Sequence, residues 1–379
     1  MDPSKIRYSP SRDSKIELRP KVHQQSNAAS ATTSAAEEQS SKLKIWLAEL
    51  RLPFITASII PILLGASIAW ATKGIFLWDF FLITLIGGIC AHLGANVAND
   101  YFDYRSGTDN INVEFVRPFS GGSRMIQRGL LSPRAVLAGS LVFFCISGAL
   151  GIYLAITRGF MVILLGVLGI FSGFFYTAPP LKLAHRGVGE LFIGLSFGVL
   201  LTLGTYYVQV QILAWEPIIA SIPIALLIAA VLYINEFPDY VADKEAGKLT
   251  LVVRLGRKRA SILYAFLLLA AYSIIGIAVF LGQMSWYTLL ALCSLPLSVL
   301  GIRYALIAYE RPFELIPANA ATVFNHMLTG LALVIAYILQ GLSFPYLYVI
   351  AVSVLLLALA IHFSRKFHSQ GKMAKAPTS

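Results

Sequence analysis

Ten apolar runs, each close to twenty residues long, decide what this chain can fold into. They lie at roughly 52–71, 77–98, 135–156, 159–176, 189–210, 216–236, 260–281, 286–309, 318–340 and 344–363. About 20 apolar residues in a helix cross the hydrocarbon core of a bilayer. Only a helix or a closed barrel can satisfy backbone polar groups there. The expected fold is therefore all-α, a polytopic membrane helix bundle of nine to ten transmembrane helices, with the lipid bilayer as its first partner. Composition agrees, since 57% of the residues are hydrophobic and 13% are charged, against about 25% charged in soluble domains. Cys90, Cys145 and Cys293 sit inside apolar runs without metal-ligand spacing, as small buried hydrophobes do.

Residues 1–42 are polar and include a Ser-, Ala- and Thr-rich stretch from Ser26 to Ala36. Such a segment buries too little apolar surface to fold alone, so it is expected to be a disordered cytoplasmic tail. No apolar segment follows its basic residues closely enough for a signal peptide, and Asp2, Asp13, Glu17, Glu37 and Glu38 disfavour a transit peptide. The expected division is this tail, a helix bundle over 43–340, and an extra helix with a basic tail over 341–379.

The net charge of +11 does not imply a nucleic-acid partner, because the basic residues flank apolar spans. With ten spans, and with Arg303 counted towards its nearer end, all but Lys73 and Arg158 of the 30 Lys and Arg residues fall on one side. The positive-inside rule puts that side in the cytoplasm, with both termini and every loop that follows an even-numbered span.

Two acidic clusters interrupt this pattern. Asn96, Asn99, Asp100, Asp103 and Asp109 close the second span, and Asn235, Glu236, Asp239 and Asp243 close the sixth. Asn96, Asp100 and Asp103 share one helical face, with His92 a turn deeper, and Asn235, Asp239 and Asp243 share another. Pro238 is expected to distort the sixth helix, since it lacks an N–H and crowds the Ile234 carbonyl. Four spans separate the clusters, which returns them to the same side and suggests a weak internal repeat. A single cluster reads equally well as a solvated helix cap. Two clusters of the same geometry on one side call for a counter-charge, because an ionised group within a span costs about 2.5–3.5 kcal/mol. Mg²⁺ fits, as it takes few carboxylates and keeps positions for water and phosphate oxygens.

These residues, with three further stretches, resemble the UbiA family of intramembrane prenyltransferases. Asn99-Asp100-x-x-Asp103 and Asp239-x-x-x-Asp243 match its paired acidic motifs. Tyr176-Thr-Ala-Pro-Pro180-Leu-Lys182 resembles its loop between fourth and fifth helices, and Gly247-Lys248-x-Thr250 through Gly256 the tail of its second motif. Gly121-Gly122-Ser123-Arg124 through Gly129 resembles the loop of the menaquinone-type branch. The resemblance covers about residues 45–340. The long tail, the tenth helix and Glu236, where that branch more often has Asn, are departures.

The resemblance implies Mg²⁺-dependent transfer of an isoprenyl chain from a prenyl diphosphate to an aromatic acceptor. A 1,4-dihydroxy-2-naphthoate in menaquinone synthesis is favoured, and a hydroxybenzoate, a homogentisate or a lipid alcohol remains open. It implies that Asp100, Asp103, Asp239 and Asp243 bind the metal. Asn99 and Asn235 would complete or orient that shell, with Asp109 and Glu236 as further candidates. Arg105, Arg124, Lys182 and Lys248 would meet diphosphate oxygens, as would the Tyr176 hydroxyl, although each basic residue reads equally as an orienting loop charge. Arg51 would take an acceptor carboxylate or simply snorkel. Asn325 and His326 in the ninth span would touch the acceptor or bond a neighbouring helix. Gly198, Gly204, Tyr206 and Tyr207 would flank the prenyl tail or pack helices. A cation-coupled transporter is the rival class, disfavoured because such proteins hold ions near the midplane on broken helices. A non-catalytic scaffold is disfavoured by the four acids.

Overall fold

The computed structural model describes residues 41–112 and 114–373. The expected tail thus lies almost wholly outside the described residues, as does the side chain of Asp109. Residues 41–46 are helical and belong to a unit of their own. The rest consists of helices and their connecting loops, with no strand among the described residues. The long elements are α1 (Thr56–Lys73), α2 (Trp78–Ser106), α3 (Pro133–Arg158), α4 (Met161–Phe175), α5 (Gly189–Val210), α6 (Trp215–Glu245), α7 (Arg257–Phe280), α8 (Trp286–Ala308), α9 (Ile316–Gly341) and α10 (Tyr346–Met373). Among the described residues nine of these are long and apolar enough to cross a membrane, and α4 is the shorter tenth. The chain is an integral, multi-pass membrane protein.

Every expected helix is present, but several run past their expected ends. The acids do not close α2 and α6; they sit inside them, because the helices continue to Ser106 and Glu245. At 1.5 Å per residue, the 31 residues of α6 measure about 46 Å, roughly 15 Å more than a hydrocarbon core needs. That surplus lets an ordered helix carry charge beyond the lipid tails. Likewise α10 continues to Met373 and carries Arg365 and Lys366 on helix rather than in a tail.

The interior is built around α1, α6 and α9, which supply half of the buried residues of the two large apolar clusters. Lipid offers no hydrophobic drive for helices to associate, so small residues that allow close backbone approach do the packing. Gly198 on α5 is the clearest case, since a Cβ there would stand 2.5 Å from the Cα of Ala225 on α6. Its expected alternatives are thereby resolved towards helix packing. Tyr206 is buried in the core, whereas the Tyr207 hydroxyl packs against Gly159. Gly204 instead borders an apolar cavity of about 490 Å³ between α2, α3, α4 and α5.

Replacing Gly198 with Ala should lower stability by about 1–3 kcal/mol through overpacking. Gly148→Ala, where a Cβ meets nothing within 4 Å, should be neutral or stabilising by up to about 1 kcal/mol. Thermal unfolding of the two variants in detergent measures the contrast.

Candidate functional site

The two acidic clusters converge on one cavity of about 180 Å³. Asp103 from α2 and Asp239 and Asp243 from α6 line it, with Asn96, Asn99, Tyr176, Asn235, Glu236 and Lys248. Arg51, just before α1, lines it too and lays its guanidinium 4.9 Å from the centre of the Phe54 ring. Asp100 is not part of that lining. It is buried behind it, with Oδ2 accepting the Ser123 N–H at 2.8 Å.

The loop between α2 and α3 closes over the acids. Gly121, Gly122 and Arg124 all have positive φ, at 78°, 65° and 62°. This left-handed path is easy for glycine, and a Cβ on Gly121 would also strike Phe115 at 2.5 Å. The path aims the Ser123 amide at Asp100 while the Ser123 hydroxyl donates to Glu49. Arg124 is held by the Phe115 ring, 4.2 Å away, and donates to the Asn112 carbonyl at 3.1 Å. Asn112 in turn donates from Nδ2 to Asp239 Oδ1 at 2.6 Å. The helix α6 continues through Pro238 rather than breaking. The Ile234 carbonyl that this proline cannot serve accepts from Asn319 Nδ2 on α9 at 3.2 Å, and the same Nδ2 bonds Asn235 Oδ1 at 2.8 Å.

Charge in the cavity is unbalanced. Lys248 Nζ lies 3.1 Å from Asp103 Oδ2 and 3.8 Å from Asp243 Oδ1, tying α2 to the segment after α6. Burial pushes the Lys248 ammonium down, but Asp103 and Asp243 outweigh it and hold its pKa well above the usual range. One ammonium does not neutralise four aspartates. Asp100 Oδ1, Asp243 Oδ1 and Glu236 Oε2 are buried without a hydrogen-bond donor. Among the described residues, no three His, Cys, Asp or Glu side chains form a ready-made metal cage. The unpaired carboxylate oxygens could hold a hard cation of the kind that takes a few carboxylates and completes its shell with water and phosphate. Tyr176 is pushed well up, by burial and then by Glu236, so its phenol stays a hydrogen-bond donor.

Not every expected residue arrives. Arg105 and Lys182 are exposed and outside the cavity lining, as the orienting-charge reading has it. Asn325 is absorbed by helix packing, bonding the Tyr272 and Ser298 hydroxyls. His326 is buried but borders neither cavity. Three residues escaped the sequence reading. Glu49 is fully buried, and its pKa is raised from 4.5 to about 8 by burial and then by the nearby Asp100. Asn112 and Asn319 reach the second motif from a loop and from α9. An Asn in an apolar span was a usable signal for Asn319; nothing in sequence distinguished Asn112 or Glu49.

Known proteins share this sequence and architecture. Residues 58–314 match the UbiA prenyltransferase family. A 2-carboxy-1,4-naphthoquinone phytyltransferase from Synechocystis is 30% identical over 302 residues, 79% of this chain and 95% of that protein. A 1,4-dihydroxy-2-naphthoate octaprenyltransferase from Bacillus subtilis is 28% identical over 317 residues, covering 83% of this chain and 98% of the relative. The solved structure of a UbiA homolog from Archaeoglobus fulgidus bound to DMAPP and Mg²⁺ has the same fold, with a TM-score of 0.52 at 16% identity, over 76% of this chain and 98% of that one. With acids of α2 and α6 gathered at one cavity and a family match over most of its helices, the chain belongs to the UbiA prenyltransferase family.

Proposed function

We propose that the protein transfers an isoprenyl chain from a prenyl diphosphate to a 1,4-dihydroxy-2-naphthoate-type acceptor, with Mg²⁺. The observation that carries this is the cavity itself. It is lined by Asp103, Asp239 and Asp243, with Asp100 buried beside them, and by Arg51. The relatives named for naphthoate substrates support the acceptor, and the neighbour bound to DMAPP and Mg²⁺ supports the donor and the metal.

Asp100, Asp103, Asp239 and Asp243 would hold Mg²⁺, which as a Lewis acid makes diphosphate a better leaving group. Lys248 and the Tyr176 hydroxyl face the same space and would donate to diphosphate oxygens. Asn99, which bonds Asp103 at 3.3 Å, and Asn235, held by Asn319, would orient the carboxylates. The apolar cavity bordered by Gly204 adjoins the acid-lined one on α2 and α5, where Ala91 and Ser196 line the first and His92 and Phe197 the second, and it suits the donor's hydrocarbon tail. As the carbon–oxygen bond to diphosphate breaks, diphosphate would leave with that bond's electron pair, the acceptor ring would supply the pair for the new carbon–carbon bond, and the ring would regain aromaticity by releasing a proton to solvent, or CO₂ where the attacked carbon bears the carboxylate. Arg51 would fix the ring through its carboxylate. Glu49 is a positioning residue, since it accepts from the Ser123 hydroxyl while the Ser123 amide holds Asp100. The acidic motifs and both termini would face the cytoplasm, where soluble prenyl acceptors and Mg²⁺ are available.

Three outcomes test this reading. The first is a product assay on the purified protein, with a labelled prenyl diphosphate, Mg²⁺ and a panel of acceptors. Asp103→Asn and Asp243→Asn should lose more turnover than Asn99→Ala or Asn235→Ala, for which outer-shell losses of about 10–100-fold are expected. Excess Mg²⁺ should partly restore the aspartate variants, and equal, metal-independent losses in all four would make the clusters structural caps. The second concerns Glu49. Its folded pKa of about 8 lies above its usual 4.5, so stability from keeping it neutral is complete below the lower value and is lost as pH rises through the upper one. Without metal, the fall in Tm between about pH 6 and about pH 9 should be smaller in Glu49→Gln than in the parent. The third is orientation: cysteines introduced near Gly107 and near Gly282 should label from opposite sides of a sealed vesicle.

A further inference from the structure

His92 stands apart from the other polar side chains of the cavity. Most of these gather at the acidic end. His92 lies eight residues before Asp100 on α2, about 12 Å along the helix axis. Apolar residues that line the same cavity include Phe54, Ala57, Ile193, Phe197 and Ile228. The ring is fixed on two sides. Nδ1 is 2.9 Å from the Ser58 hydroxyl of α1. The Phe197 ring meets it edge-on, with centroids 5.0 Å apart. Phe197 owes its placement to a π-helical stretch over Gly194–Leu200, which shifts its register on α5; such stretches are frequent at functional sites.

The other ring nitrogen, Nε2, has no hydrogen-bond partner, although the residue is only 5% exposed. A buried polar atom left unpaired costs about 1–3 kcal/mol. A histidine serving only to join α1 and α2 would need a single nitrogen, and that one is already used by Ser58. The remaining nitrogen is left without a protein partner on a residue that lines the cavity. Of the molecules the cavity would admit, the prenyl tail is hydrocarbon and offers no hydrogen bond. The diphosphate belongs at the carboxylate end. A phenolic hydroxyl on an aromatic ring fits both the unpaired nitrogen and the apolar, aromatic wall around it.

We infer that His92 is an acceptor-binding residue whose Nε2 hydrogen-bonds a ring hydroxyl of the aromatic substrate, while Ser58 and Phe197 hold the imidazole in place. This rests on the acceptor reading above and adds the feature by which the site selects a hydroxylated ring. Arg51 reads the carboxylate and His92 reads the hydroxyl, so the two contributions are separable by substrate.

The test uses the full chain in lipid nanodiscs, with His92→Ala and the hydrogen-bonding variant His92→Gln. Equilibrium binding of 1,4-dihydroxy-2-naphthoate, 1-hydroxy-2-naphthoate and 2-naphthoate is measured without donor, and KM for acceptor and for prenyl diphosphate is measured with Mg²⁺. The parent should prefer the hydroxylated rings. In His92→Ala that preference should collapse, and acceptor KM should rise roughly 10–100-fold with the donor KM unchanged, whereas His92→Gln should recover part of both. An unchanged hydroxyl preference in a folded His92→Ala overturns the inference, as does a parallel rise in both KM values. If His92→Ala does not fold, His92→Gln decides: wild-type binding and KM for every ring overturn the inference, and a selective loss on the hydroxylated rings supports it. If the parent transfers no prenyl group to any naphthoate, the function proposal fails on its own. Binding then still decides the role of His92, and equal affinity of the parent for 2-naphthoate and its hydroxylated forms overturns it.

Discussion

Like charge gathered in a poorly hydrated place is the constraint on which this structure turns. At an effective dielectric constant near 20, two unit charges about 4 Å apart interact by roughly 4 kcal/mol. The chain draws aspartates from α2 and α6 into one region. It offsets part of the cost with the Lys248 ammonium, the Ser123 amide and the Asn112 side chain. None of these is a neighbour of the aspartate it serves on the same helix, Lys248 beside Asp243 being the nearest in sequence. The segment after α6 and the loop after α2 are held in place because the carboxylates need them. Under the function proposed above, a cation would offset the remaining negative charge when the anionic donor binds.

Shape comes from different chemistry. In lipid the helices have little hydrophobic reason to associate, so close backbone contacts such as Gly198 against Ala225 bring α5 onto α6. The π-helical stretch beside that contact then turns Phe197 towards the reaction cavity. Glycines on α3 and α4 do the opposite. Gly148, Gly151, Gly166 and Gly169 face open space, and their missing side chains leave the apolar cavity wide.

Much of this was legible in the residues. Apolar runs near twenty long announce spans, and carboxylates inside such runs stand out because they are costly there. Helix ends were less legible. The drop in hydrophobicity at Asn99 and at Asn235 marks where lipid would end, while the helix continues for as long as its backbone bonds are satisfied. Lys182 and Lys248 carry the same signal, a lysine in a loop beside a motif, yet only Lys248 folds back onto Asp103. Glu49 was hidden for a related reason. An acid just before the first span looks like a surface charge until the loop carrying Ser123 is laid over it. Contacts made by loop path leave no periodic trace.

The bond from Asn319 to the Ile234 carbonyl has a consequence for how α9 is fixed. Pro238 removes a rung from α6 and thereby creates an acceptor that only a neighbour can fill. The Asn319 amide fills it and at the same time grips Asn235 in the acidic motif. An imperfection in one helix has become the keyway for another, setting both the height and the rotation at which α9 can dock. A helix that brings no carboxylate to the site is thus registered against it to within the length of a hydrogen bond, and a slip of α9 by one residue would unseat the motif on α6 as surely as a change in the motif itself.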